Sequence, residues 1–161
     1  MPPEISDAEK DLISSKLSKL EMYGKFLREL REIPPDRLRS DFVARGAVER
    51  YLQVSIECVI DIGNEIISSL GLRRPERYRD IPMILAEAKV IPEGFADSIA
   101  LMIGFRNLLV HDYASVDLDL MYEFLRKRIN DFEAFSKYIA EWLEVSRRTA
   151  GGGSKGDGHR S

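Results

Sequence analysis

Val48-Glu49-Arg50-Tyr51-Leu52-Gln53-Val54-Ser55-Ile56-Glu57-Cys58-Val59-Ile60-Asp61-Ile62-Gly63 carries apolar side chains on more than one helical stripe. A helix wet along its whole outer side needs only one stripe, with apolar residues three or four apart. The same density extends outward to Phe42 and Val43 on one side and to Ile66, Ile67 and Leu70 on the other. One helical region is therefore predicted over Asp36 to Leu70. Such a helix is either the central member of a bundle or has one side against a partner subunit. Gly46 and Gly63 are positions where a second backbone can approach.

Ser6-Asp7-Ala8-Glu9 reads as a capping box, in which the serine hydroxyl takes one orphan amide and the glutamate reaches back to the other. It opens a helix whose apolar residues Ile13, Leu17, Leu20, Tyr23, Leu27 and Leu30 form one stripe. Pro34 and Pro35 close it. Beyond Leu70, Gly71 to Arg79 forms a basic connector, followed by a short helix over Ile81 to Ala88. Pro92-Glu93 opens a further helix with Phe95, Ile99, Leu101, Met102, Phe105, Leu108 and Leu109. The last helix spans Leu118 to Arg147, and Asp117 and Ser115 are candidate caps. Nothing reads as a strand or an internal repeat. The expected fold is all-α, an up-and-down bundle of four to five helices.

The chain of 161 residues reads as one domain over 1–150, with a disordered glycine-rich tail over 151–161. Its formal charge of -3 is unlike that of a dedicated nucleic-acid coat protein, so any RNA contact must come from local patches. The single cysteine, Cys58, excludes an internal disulfide framework and reads as a buried, inert thiol. The N-terminus shows no basic-then-apolar leader, and no apolar run approaches the length that spans a bilayer. A cytoplasmic protein without membrane attachment is expected.

Arg106-Asn107-Leu108-Leu109-Val110-His111-Asp112-Tyr113 holds the one histidine outside the tail, where His159 lies. Arginine stays charged and offers a planar fork of donors matched to phosphate oxygens. Histidine titrates near neutrality and serves as base or acid. Asn107 can hold the loop or a phosphate, and the Tyr113 hydroxyl can position substrate or accept a nucleotidyl group. Five residues along a helix turn about 500°, which leaves Arg106 and His111 some 140° apart. For both to face one substrate, the helix must end near Leu109 and the chain swing back. Two-sided proton transfer with one histidine also points to a symmetric dimer pairing two His111 and two Arg106 across a two-fold axis. No metal or cofactor is expected, because a lone histidine lacks the clustered carboxylates or thiols of a metal site.

Arginine, four residues, histidine, one residue, tyrosine, with asparagine after the arginine, resembles the HepT-like toxin branch of the HEPN superfamily. Val48 to Gln53 leading into Ile60-Asp61-Ile62-Gly63, and the late Asp131-Phe132, are similar to that branch as well. The likeness covers Leu12 to Glu144. It implies an all-α homodimer whose two motifs form one cleft, acting as a metal-independent RNA endonuclease and toxin. It further implies a cognate minimal nucleotidyltransferase antitoxin that transfers AMP to the tyrosine. Carried over, Arg106 and His111 are catalytic, Asn107 is supporting and Tyr113 is the AMPylated residue.

Two basic clusters, Arg73, Arg74, Arg77 and Arg79, and Arg126, Lys127 and Arg128, either attract RNA locally or are ordinary solvated charges. Two other readings compete with the toxin nuclease. One is a non-catalytic helical module that docks a nucleotidyltransferase. The other is a structural helical protein in which Arg106 pairs with a local carboxylate, far from any symmetry axis.

Overall fold

The computed structural model describes residues 4–111 and 117–151; of Val110, His111, Arg147 and 149–151 it describes the backbone alone. Six helices follow one another: α1 (Asp7–Arg31), α2 (Pro35–Ser40), α3 (Phe42–Ser69), α4 (Asp80–Glu87), α5 (Glu93–His111) and α6 (Leu118–Gly151). No strand occurs among the described residues. The all-α bundle is as expected, with six helices among the described residues rather than four or five. The tail beyond residue 151 lies outside the described residues.

α1 begins with the capping box foreseen in the sequence. The Ser6 amide donates to Glu9 Oε2 at 2.8 Å, and the Glu9 amide donates to Ser6 Oγ at 3.2 Å. Ile13, Leu17, Leu20 and Leu27 are buried along its inner stripe.

The region predicted as one helix over Asp36 to Leu70 is two. Asp41 has an extended backbone (φ -111°, ψ 96°), and its Oδ1 accepts from the amides of Val43 and Ala44, each at 3.1 Å. A side-chain acceptor at this position caps a new helix and is worth about 1 kcal/mol. α2 is the resulting short helix, anchored by buried Leu38.

α3 is the central member, touching all five other helices. Val48, Leu52, Ile56, Ile62 and Ile66 are all fully buried, which accounts for its several stripes. The buried Ser55 hydroxyl donates to the Tyr51 carbonyl at 2.6 Å and so is not left unpaired. A Cβ at Gly63 would collide with the Ile81 side chain, so this glycine admits α4; nothing approaches Gly46 within 4 Å. α3 closes in a Schellman turn: Gly71 has φ 63°, its amide donates to Ser68, and the Leu72 amide donates to Ile67. α4 closes the same way, but with a lysine, Lys89, at φ 61°.

The Cys58 thiol is buried and reaches the Lys16 carbonyl at 3.4 Å. Burial, reinforced by Asp61 nearby, pushes its pKa up to about 11, so it is a thiol and not a nucleophilic thiolate near neutrality. Among the described residues, no helix is long and apolar enough to cross a membrane.

Candidate active site

α5 has two unlike faces. Its inner face buries Ile99, Met102, Ile103, Phe105 and Leu109, and the Phe105 ring stacks on Phe124 of α6 with centroids 4.2 Å apart. Its outer face carries Asp97, Leu101, Gly104, Asn107 and Leu108. Leu101 is 54% exposed and Leu108 51%, and Leu120 of α6 lies exposed on the same groove. Exposed leucines clustered in this way are a candidate contact surface for another protein chain.

Arg106 lies on the inner side. Its side chain is 19% exposed, and Nη2 lies 3.4 Å from Glu57 Oε1 on α3. Its guanidinium lies 5.5 Å from the centroid of the Tyr78 ring, within cation–π range. Nη1 reaches Asn107 Oδ1 at 3.4 Å, while the buried Nε has no hydrogen-bond partner. Both contacts are long against the usual 2.9–3.0 Å of an N–H···O bond. Glu57 Oε1 is also shared, since it accepts from Gln53 Nε2 at 3.2 Å. The guanidinium is thus oriented from two sides and keeps donor capacity to spare. Such a group suits an incoming phosphate oxygen better than one consumed by a short bidentate ion pair.

The end of α5 differs from the expected one. The helix continues at least two residues past Leu109, through His111. Leu109 is still packed in the core, so the inner face holds the helix together beyond the point where the polar motif was expected to break it. Arg106 and His111 therefore stand about 140° apart on one helix, and the swing back toward the arginine is not made within it. Seven residues turn about 700°, so position 111 falls within about 20° of Gly104, on the outer face. Asn107 is exposed beside Arg106. Tyr113 lies outside the described residues.

Glu57, Gln53 and Tyr78 were not singled out as site residues in the sequence. Two polar residues four apart in the mostly apolar run from Tyr51 to Ile60 were the available signal for Gln53 and Glu57. Tyr78 had none, because a connector of undetermined path gives no indication of which helix it crosses.

Residues 20–139 match the family described as Ribonuclease HepT-like. The chain belongs to that family. Among HepT-like relatives, the mRNA nuclease HepT of Shewanella oneidensis strain MR-1 is 29% identical over 131 residues, covering 80% of this chain and 96% of that one. The putative RNase YutE of Bacillus subtilis strain 168 is 33% identical over 99 residues, covering 62% of this chain and 69% of its own. A solved structure, a tri-AMPylated Shewanella oneidensis HEPN toxin in complex with MNT antitoxin, superposes with a TM-score of 0.74 at 29% identity. That likeness covers 81% of this chain and 98% of the toxin. The ribonuclease class and the bundle expected from the sequence are those of the HepT-like family.

Proposed function

We propose that this chain is the toxin of a toxin–antitoxin pair: a metal-independent RNA endonuclease, active as a homodimer in the cytoplasm and silenced by AMP transfer to Tyr113. The observation that carries the reading is Arg106, mostly buried between Glu57 and Tyr78 with donors to spare, five residues before His111 of α5. Family membership and the named relatives support it.

Arg106 and His111 are the catalytic pair, with Asn107 supporting. In the reaction, the 2′-hydroxyl of RNA loses its proton, its oxygen bonds to phosphorus, and the 5′-oxygen leaves with a proton. His111 is the proton-transfer group, and Arg106 neutralises charge building on the non-bridging oxygens. Because the two residues stand on different faces of one helix, Arg106 of one copy serves with His111 of the other. The exposed leucines beside position 111 are the surface through which the copies meet, and residues 1–150 are the folding unit.

The partner is a nucleotidyltransferase antitoxin. In its reaction the Tyr113 oxygen bonds to the α-phosphorus of ATP, the bond to pyrophosphate breaks, and the phenolic proton is released. The added phosphodiester puts bulk and negative charge beside the cations that hold RNA.

Cleavage of labelled RNA in EDTA, compared with the His111→Ala variant, tests this. The parent chain cuts and the variant does not, with its helical circular dichroism unchanged. Activity that survives the substitution and disappears with EDTA rejects the mechanism. The Arg106–Glu57 pair is the observation that favours a second reading, in which Arg106 only ties α5 to α3. In that case Arg106→Ala lowers the melting temperature and leaves RNA turnover per folded molecule intact.

A further inference from the structure

Of the four arginines in the 73–79 connector, three are accounted for without the outer face of α5. Arg73 is held by Glu87 through two hydrogen bonds, at 2.9 and 3.2 Å. Arg74 and Arg77 border a separate hollow that opens between the connector and Asn64 and Ser68. Arg79 alone reaches α5. A Cβ at Gly104 would lie 2.7 Å from Arg79 Nη2, 3.4 Å from Cζ and 3.5 Å from Nε. The whole guanidinium is therefore laid on the helix where a side chain is missing. Glycine inside a helix disfavours that helix, and room for this guanidinium is what the position provides.

Arg79 makes no ion pair among the described residues. The other cations along the same groove are engaged: Lys127 bonds Glu123 at 2.8 Å, and Arg128 faces Asp131 at 3.7 Å. The groove has a volume of about 610 Å³ and runs between the outer face of α5, the start of α6 and Arg79. Position 111 follows Gly104 on that face, about 10 Å further along the helix. An uncommitted, pre-seated fork thus lies in line with the proposed proton-transfer residue.

We propose that Arg79, seated by Gly104, holds a phosphate of the RNA strand one or two nucleotides away from the linkage that is cut. It is a positioning residue that binds the strand outside the scissile linkage, and the assignment rests on the ribonuclease reading above. The planar donors of Arg79, already laid out, lose less freedom on binding than a lysine would.

The test uses the whole chain and a fluorescent 20-nucleotide single-stranded RNA. Binding is measured in the His111→Ala background and cleavage in the parent. Arg79→Ala weakens binding about tenfold, lowers the slope of log affinity against log salt by about 0.7, and raises KM with kcat nearly unchanged. Arg79→Lys recovers the salt slope in full but only part of the affinity. Gly104→Ala, which displaces only the far end of a flexible side chain, weakens binding in the same direction, and the double variant is no worse than Arg79→Ala alone. Sedimentation shows the same dimer throughout. Unchanged affinity and slope overturn the proposal, as does a loss that comes with dissociation of the dimer, because the arginine would then be an interface contact. A parent chain that neither binds nor cuts RNA removes the ribonuclease reading and this proposal together. A parent that cuts normally beside an unaltered Arg79→Ala variant removes this proposal alone.

Discussion

The two faces of α5 differ in what they hold. The inner face is packed on α3 and α6 and holds the partly exposed Arg106 against Glu57 and Tyr78. The outer face is open, lined by Leu101, Gly104 and Leu108, and leads to position 111. A single copy thus has a well-oriented cation on one side and position 111, the proposed proton-transfer position, on the other. Arginine then histidine five residues later does not converge within one straight helix, which is why the proposed site is drawn from two chains.

Charging the outer face should break this arrangement most severely. Leu101→Glu with Leu108→Glu is expected to give a folded monomer by analytical ultracentrifugation and to reduce RNA cleavage at least about hundredfold, because neither half is complete alone. Arg106→Ala on the inner face should lower kcat about 10² to 10³-fold, the usual cost of removing a preorganised charge-stabilising donor. Its effect on stability should be about 1–2 kcal/mol in urea denaturation, mostly from lost packing of its stem. Glu57→Gln sharpens the same comparison. The pair is partly exposed and long, so stability should change by under about 1 kcal/mol, while loss of the orienting charge lowers kcat about two- to tenfold.

Smaller effects test the frame on which the faces depend. Cys58, beneath the α1–α3 contact, has its thiol pushed up to about 11. At pH 8 it should react with a thiol reagent at least about a hundredfold more slowly in the native chain than in denaturant, and faster as pH rises toward that value. Lys89→Gly should raise stability by about 0.5–1 kcal/mol, because glycine accepts φ 61° without the strain a side chain brings.

Most of the bundle was legible because the long helices announce themselves by period and cap. Ser6 and Glu9 marked the start of α1, and the crowded stripes from Val48 to Ile66 marked α3 as central. The break at Asp41 was missed for a physical reason. Phe42 and Val43 prolong the apolar pattern across it, yet they are 75% and 66% exposed and pack on little. The end of α5 was set too early because polar residues of the motif read as a terminus, whereas buried Leu109 carries the helix onward. Arg106, Asn107 and His111 were singled out as candidates from residue chemistry and motif spacing. Glu57 and Tyr78, the neighbours of Arg106, were not, because each comes from a distant segment and only packing against α5 brings them in; Arg79 was named within a basic cluster, but its seat on Gly104 was not foreseen.

A mixed dimer tests the shared site most directly. Chains carrying Arg106→Ala and chains carrying His111→Ala, each inactive alone, are combined, and the hetero-dimer is isolated by two affinity tags. If Arg106 of one copy works with His111 of the other, the mixed dimer retains one intact pair and cleaves RNA at least about tenfold faster than either parent variant. A mixed dimer as inactive as its parents, beside an active wild-type control carrying the same tags, would contradict a site built from two chains.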